Sequence, residues 1–429
     1  MNYCVRVPGR PAHVCAALLS LCVLAKAQGA FYLHDGDRVV FYGDSITEQS
    51  YYTTLVESYA LTRFPGLKVA YVNSGVGGDS VSGGAAGTIQ KRLERDVIAQ
   101  KPTVLTIMLG MNDGGYRAFD KALFQAYRSG LEDIVRTVKS SLPNTRMTLL
   151  APSPFDDVTQ PPQFPGGYNR VLLQYGQFVR EMAQREKLDF ADLNTPVINV
   201  LEKALRTDPE MARKMIPDRV HPSAAGHLIM AEALLKSWHA PALVTAVTID
   251  ASGRRVGHAE NTRIGEFRSG GGLHWVQTDG ALPLPVDLVD VVMALAVRCS
   301  DVVEALDRQT LQITGLAGGR YLLKIDGQQI GTFTDSQLGA GINLAVLMTP
   351  MTKQAATVLA FTQKRNNVRA VRWRLVQVAL QDDILAHKGG ALKSLDILEK
   401  ELIQRQHESA QSKPHHYDVI PVNPTGGTQ

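Results

Sequence analysis

Short apolar runs alternate with longer segments of helical period through the first half of the chain. Five runs are almost continuously apolar, as in strands covered on both faces, and they occupy residues 38–42, 68–73, 103–109, 146–151 and 189–193. Between them, apolar residues recur every three or four positions, most clearly at Phe124, Tyr127, Leu131, Ile134 and Val138. This alternation predicts an α/β fold with a doubly wound parallel sheet of five strands.

After Trp238 the pattern becomes that of a smaller β-rich region followed by helices. Four β-favouring runs occupy residues 244–249, 310–314, 320–325 and 329–333, and two helical stretches cover 351–381 and 391–411. Residues 412–429 are rich in proline, glycine and polar side chains. We therefore expect a first domain over residues 28–241, an accessory region over 242–411 that is β-rich over 242–349 and helical over 350–411, and a poorly ordered tail over 412–429.

Residues 1–27 have the three-part pattern of an export signal. Arg6 and Arg10 are followed by an uncharged run over residues 14–24, and Ala25 and Ala27 put small side chains where a signal peptidase requires them. A buried N-terminal helix is the alternative. Removal of this segment would leave Cys299 as the one cysteine, so no internal disulfide is expected. The sequence thus predicts an exported protein, periplasmic or extracellular, without an integral membrane segment.

Composition and charge narrow the classes of function. The chain is 45% hydrophobic and 20% charged with a net charge of +4, which is typical of a globular protein. The basic residues are scattered among acidic ones, so no basic patch indicates a nucleic-acid partner. Nothing in these patterns specifies an oligomeric state.

Polar, glycine-bearing turns follow the predicted strands, which is where parallel sheets bind their ligands. Three come directly after a strand and the fourth lies beyond a helical segment after the fifth strand: residues 43–46 (GDSI), 74–79 (SGVGGD), 110–113 (GMND) and 218–222 (DRVHP). Each block alone is typical of a helix cap or a turn. Their occurrence together at strand ends favours a catalytic site.

The residues in these turns can perform acyl transfer. A serine hydroxyl is a weak nucleophile that needs a base, and the base needs an orienting group. Ser45 can be the nucleophile, and the three-residue spacing of Asp218 and His221 lets the carboxylate hold the imidazole. The tetrahedral oxyanion requires hydrogen-bond donors, which the backbone N–H groups of Ser45 and Gly78 and the side-chain amide of Asn112 can supply.

In order and spacing, the four blocks resemble those of the SGNH hydrolases, the GDSL-type esterases, over about residues 31–240. The resemblance implies a flavodoxin-like strand order. It also implies that Ser45 is the nucleophile, His221 the base and Asp218 its orienting acid, with an oxyanion hole formed by Ser45, Gly78 and Asn112. It implies no metal and no other cofactor. The first block departs from the family pattern only by Ile46 in place of leucine.

The sequence therefore predicts an exported serine esterase that hydrolyses O-acyl esters through an acyl-enzyme. The expected substrate is a short-chain ester, acetyl above all, of a small molecule or polysaccharide. The alternatives are a lysophospholipase or thioesterase of the same family, a catalytically silent glycan-binding module, and a structural protein built on the second half. Because every catalytic block lies in the first half, we expect a chain that ends near Ala240 to keep its activity on small activated esters.

Overall fold

A five-stranded parallel sheet forms the centre of the first half of the protein. The computed structural model describes residues 30–422, so the predicted export signal at residues 1–27 lies outside the described residues. The strands of the first half are β1 (Arg38–Gly43), β2 (Ala70–Gly75), β3 (Gly83–Gly84), β4 (Gly87–Thr88), β5 (Val104–Met108), β6 (Arg146–Leu150) and β7 (Asp189–Ala191). The sheet has the order β2-β1-β5-β6-β7 with every pairing parallel. This flavodoxin-like order confirms the predicted fold class.

Helices occupy the connections between these strands. They are α1 (Ser45–Glu48), α2 (Tyr51–Arg63), α3 (Ile89–Arg92), α4 (Lys121–Ser141), α5 (Gly167–Glu186), α6 (Thr195–Thr207), α7 (Pro209–Ala212) and α8 (Ala224–Ser237). Every residue of β5 is buried, and so is every residue of β1 after Arg38. The stripe predicted on α4 faces this core, since Tyr127, Leu131, Ile134 and Val138 are all buried. The apolar core therefore fixes the strand ends that carry the polar turns.

The second half contains two further sheets and five helices within the described residues. Its strands are β8 (Leu243–Asp250), β9 (Arg255–Glu260), β10 (Thr262–Ser269), β11 (Leu273–Asp279), β12 (Arg308–Thr314), β13 (Arg320–Ile325), β14 (Gln328–Thr334), β15 (Ile342–Asn343) and β16 (Pro414–Pro421). One sheet has the order β10-β11-β16-β13-β14 and the other β15-β12-β8-β9. Both sheets contribute to one buried apolar cluster that includes Ile249, Trp275 and Leu323. No helix within residues 30–422 is both long and apolar enough to cross a bilayer.

The expectation of a poorly ordered tail over 412–429 is wrong for its first part. Residues 414–421 form β16, which lies in the middle of the second sheet and pairs antiparallel with both β11 and β13. His415, Tyr417 and Val419 alternate into the core, and the Tyr417 ring stacks on Trp275 at 5.0 Å. Burial of every second residue holds the segment in place. In the sequence, two histidines and two prolines hide this alternation.

The predicted boundary between residues 241 and 242 cuts through a shared core. The β-rich region also contains α9 (Val291–Cys299), α10 (Val302–Leu306) and α11 (Asp335–Ala340). Leu295 and Leu306 are buried in the same apolar cluster as the large parallel sheet, while Leu61 of α2 belongs to the cluster of the second half. The side chain of Arg63 crosses the boundary too, donating to the carbonyl oxygen of Leu306 at 2.8 Å. The two halves are therefore packed as one structure.

A buried polar seam joins the last two helices to the first half. Helix α12 (Pro350–Ala370) continues into a π-helical segment, Val371–Val378, and α13 (Lys388–Ala410) packs beside it. Glu57 of α2 forms an ion pair with Arg365, which also donates to the carbonyl oxygen of Tyr71 at 2.8 Å. Gln406 donates to the second Glu57 oxygen at 2.9 Å. We call Glu57, Arg365 and Gln406 the polar seam; all three are buried.

Candidate active site

Ser45 stands at the first position of α1, directly after β1. The carboxylate of Asp44 caps this helix by accepting from the N–H of Ile46 at 3.0 Å. Glycines let the neighbouring strands approach the turn, because a Cβ at Gly75 would lie 2.3 Å from the backbone nitrogen of Glu48. The strand, the cap and the close approach of β2 together hold the Ser45 hydroxyl at the carboxyl edge of the sheet.

His221 links Ser45 to Asp218 in a continuous chain of hydrogen bonds. The distance from His221 Nε2 to Ser45 Oγ is 2.8 Å, and that from His221 Nδ1 to Asp218 Oδ2 is 2.7 Å. The backbone N–H groups of Val220 and His221 donate to the other carboxylate oxygen at 3.0 and 2.7 Å. Burial alone would raise the pKa of Asp218, but these hydrogen bonds outweigh it and lower the pKa below its usual range. The carboxylate therefore stays ionised and orients the imidazole.

The proline-rich segment after β6 supports this turn. This segment covers residues 152–167, and its first part is buried, including Ser153 and Asp156. The Asp156 N–H donates to the carbonyl oxygen of Arg219 at 2.9 Å, and Arg219 Nη2 donates to the carbonyl oxygen of Pro161 at 2.8 Å. Arg219 has a φ of 72°, a conformation that this double contact maintains. The segment thus braces the turn between Asp218 and His221.

Three N–H groups around the Ser45 turn are available as donors. Within residues 30–422, no group accepts a hydrogen bond from the backbone N–H of Ser45 or of Gly78, whose φ is +74°. Asn112 Nδ2 donates one hydrogen to the carbonyl oxygen of Asp79 at 2.9 Å, which leaves its second hydrogen for another acceptor. The Tyr116 hydroxyl donates to Asn112 Oδ1 at 2.9 Å and thereby fixes which way the amide points.

Buried carboxyl groups lie behind the site. Burial raises the pKa of Asp44 to about 7, with the neighbouring Asp113 and Asp79 adding to the effect and the Ile46 N–H opposing it. Burial also raises the pKa of Asp113 to about 6, although the Val81 N–H donates to it at 2.9 Å. Through these contacts the two residues cap and shape the turns. Asp44 is buried and Asp113 is partly buried, and their contacts with backbone N–H groups give both a structural role behind the groups in front.

Asp79 belongs to a fully buried ion-pair cluster that reaches the second half. Arg92 Nε donates to Asp79 Oδ2 at 2.7 Å, and the same guanidinium pairs with Asp96 and donates to the carbonyl oxygen of Ser74 at 2.7 Å. Trp373, in the π-helical segment, donates from Nε1 to Asp96 Oδ1 at 2.8 Å. The turn that carries Gly78 is therefore held by a cluster that also anchors the second half.

A cleft of about 710 Å³ opens beside Ser45 and His221. Its walls include Glu48, the half-exposed ring of Tyr51 and Arg374. Arg374 comes from the π-helical segment and forms an ion pair with Glu48. The second half therefore contributes to one wall of the cleft. Sequence reasoning had no signal for Arg374, because its partner lies more than 300 positions away.

Two ring side chains, those of His227 and Trp238, have packing roles. His227 is buried beside Tyr52 and hydrogen-bonds Gln49 at 2.9 Å; burial lowers its pKa to about 3. Trp238 is buried too and donates to the Thr148 hydroxyl at 2.9 Å. In the part of the chain that the structure describes, no group of three or more His, Cys, Asp and Glu side chains is arranged to hold a metal ion.

Comparison with known proteins agrees with the geometry. Residues 41–229 match the model of the GDSL-like lipase/acylhydrolase family, a range that includes all four polar blocks. The first half of the chain therefore has the domain of this family. The resemblance to the SGNH hydrolases is thereby confirmed, and the chain is a serine-type carboxylic ester hydrolase.

Two known proteins are similar to this hydrolase over long stretches of sequence or structure. An acetylxylan esterase from Geobacillus stearothermophilus is 29% identical over 221 residues, covering 47% of this chain and 93% of that enzyme. A solved structure of a gut microbial diltiazem-metabolizing enzyme superposes with a TM-score of 0.80 at 26% identity, covering 92% of this chain and 100% of that one. The second match extends through both halves of the hydrolase, so their mutual arrangement has a counterpart in a solved structure.

Proposed function

We propose that this hydrolase removes acetyl or other short acyl groups from polar, carbohydrate-type alcohols outside the cytoplasm. The observation that carries the proposal is the hydrogen-bonded chain from Ser45 through His221 to Asp218 at the edge of an open cleft. The similarity to an acetylxylan esterase supports acetyl as the acyl group. The three-part pattern of residues 1–27 supports export.

The mechanism follows from these hydrogen bonds. His221 Nε2 takes the proton of Ser45 Oγ as the oxygen attacks the acyl carbon of the ester. The negative charge on the former carbonyl oxygen is stabilised by the N–H groups of Ser45 and Gly78 and the amide of Asn112. The C–O bond to the alcohol then breaks, and His221 returns the proton to the leaving oxygen. Water repeats the sequence on the acyl-serine, releasing the carboxylic acid and free Ser45.

The lining of the cleft favours a polar alcohol. Glu48 and Arg374 offer charged hydrogen-bonding groups, and the 45% exposed ring of Tyr51 offers a face on which a sugar ring can pack. A long acyl chain would need a continuous apolar groove beside Ser45, whereas charged side chains, those of Glu48 and Arg374, interrupt the walls of this cleft. This contrast favours the acetylesterase over a lysophospholipase.

The test compares hydrolysis of acetate, butyrate and octanoate esters of p-nitrophenol with release of acetate from acetylated xylan. Ser45→Ala and His221→Ala should each lower kcat by about 10³-fold or more in folded protein, and Asp218→Ala by less, because an unoriented imidazole can still act as a base. Full turnover by Ser45→Ala would contradict the assignment. A preference for octanoate would favour the lipase or thioesterase alternative, and glycan binding without turnover the silent module. Diltiazem is tested as a further substrate, because a similar solved structure is that of a diltiazem-metabolizing enzyme.

Export is tested separately. The full chain, produced in a bacterial host, should be found outside the cytoplasm with an N-terminus after Ala27. Retention of residues 1–27 in cytoplasmic protein would contradict the export proposal and leave the esterase proposal intact.

A further inference from the structure

One charged pair in the cleft joins the two halves beside the nucleophile. Arg374, from the π-helical segment Val371–Val378, forms an ion pair with Glu48 of α1. Their side chains are 38% and 24% exposed, so the pair is partly desolvated. Both residues line the cleft together with Ser45.

The position of Glu48 makes its charge relevant to the chemistry. Glu48 follows Ser45 by three residues, so both side chains lie on one side of the single turn of α1. A Cβ at Gly77 would lie 3.0 Å from Glu48 Oε2 and 4.0 Å from Ser45 Cβ. The carboxylate therefore sits next to the residue that precedes Gly78. A negative charge at this distance opposes the negative charge that develops on the acyl oxygen.

Arg374 is held in place by buried contacts around it. The preceding residue, Trp373, is only 8% exposed and donates to Asp96 Oδ1 at 2.8 Å. Its ring lies 5.7 Å from the guanidinium of Arg92, which in turn contacts Asp79. The guanidinium of Arg374 is thus presented to Glu48 by the cluster that also holds the Gly78 turn.

We infer that Arg374 is a positioning residue for ester hydrolysis: its positive charge neutralises Glu48 and so protects the oxyanion from a neighbouring carboxylate. The inference rests on the proposed role of Ser45 and its oxyanion hole. It gives the second half an indirect part in catalysis, through Glu48. It also explains why a glutamate is tolerated one helical turn from the nucleophile.

The test is a double-mutant cycle on the full-length chain with p-nitrophenyl acetate, a neutral substrate. Arg374→Ala should lower kcat about tenfold with little change in KM, because the unpaired carboxylate acts mainly when charge develops. Adding Glu48→Gln should restore kcat to within about threefold of wild type, and Arg374→Lys should retain most of it. Arg372→Ala, which removes a neighbouring arginine paired with Asp396, is the matched control and should leave kcat unchanged.

The outcomes separate this inference from the function itself. Wild-type kcat in Arg374→Ala, or a double variant as slow as the single one, would overturn the inference, while loss of activity in Ser45→Ala would still stand. If Arg374→Ala does not fold, Glu48→Gln alone decides: it should raise kcat, since Arg374 then faces the oxyanion unopposed, and a lowered kcat would contradict the inference. Higher salt should partly rescue Arg374→Ala but not wild type, because ions screen the partly exposed carboxylate.

Discussion

The edge of the parallel sheet and the polar seam between the halves differ in where their polar groups lie. At the sheet edge, apolar strands support a few polar groups that face an open cleft. At the seam, charged and amide side chains are themselves buried, with Glu57 and Arg365 each less than 5% exposed. A buried ion pair contributes little net stability, but removing only one partner is costly because the other charge stays buried. Changes at the sheet edge should therefore alter rate, and changes at the seam should alter stability.

The strongest test of this contrast is Glu57→Ala. Removing the carboxylate leaves the buried Arg365 guanidinium without its partner, so the free energy of unfolding should fall by about 3–5 kcal/mol. Denaturant unfolding measures it. Glu210→Ala breaks the exposed pair of Glu210 and Lys214 and should cost less than about 1 kcal/mol. Equal losses in the two variants would show that the seam is no more sensitive than the surface.

Asn112→Ala probes the sheet edge. It removes a proposed oxyanion donor, so kcat should fall roughly 10²-fold while KM changes little. The Asn112 amide also bonds the Asp79 carbonyl oxygen, so thermal unfolding is measured alongside to separate a loss of rate from a loss of fold. A change confined to KM would instead make Asn112 a residue that binds the ground state.

Asp44→Asn should change how stability depends on pH. In the folded protein Asp44 has a pKa of about 7, raised by burial, against about 4 in the unfolded chain. Between these values the folded state binds more protons, so stability falls as pH rises from 4 to 7. Asparagine does not titrate and can still accept from Ile46. The variant should therefore gain a few degrees of Tm relative to wild type at pH 8 compared with pH 4.5. Asp120→Asn, at the cap of α4, is the control. If the Tm difference between Asp44→Asn and wild type were the same at both pH values, the prediction would be contradicted.

The sequence predicted the first half well because its signals are local. The five apolar runs became the strands of the parallel sheet, and the turns after them converge because parallel strands end at one edge. Ser45, His221 and Asp218 were predicted as a site from blocks of four or five residues each, and the structure joins their side chains by hydrogen bonds. Tyr116 and the brace through Arg219 were not assigned to their roles, since neither carries a pattern beyond its neighbours.

The second half was predicted less completely because its signals are distant or absent. Strands β9 and β10 are largely exposed, so they lack the apolar alternation that marks a half-buried strand. Strand β16 is hidden by its histidines and prolines. The partners Glu57 and Arg365 are 308 residues apart, and a buried charge has no meaning in a sequence until its partner is known. Arg374 was missed for the same reason, because its partner Glu48 lies in the other half of the chain.

The central place of β16 sets an order of assembly for the second sheet. The hairpins that flank it, β10 with β11 and β13 with β14, are synthesised well before residues 414–421. Until those residues leave the ribosome, β11 and β13 each present an unpaired edge that can recruit another chain. Premature release of the nascent polypeptide would therefore yield an aggregation-prone product even though every catalytic block had already been translated. Closure of the second sheet therefore depends on residues 414–421.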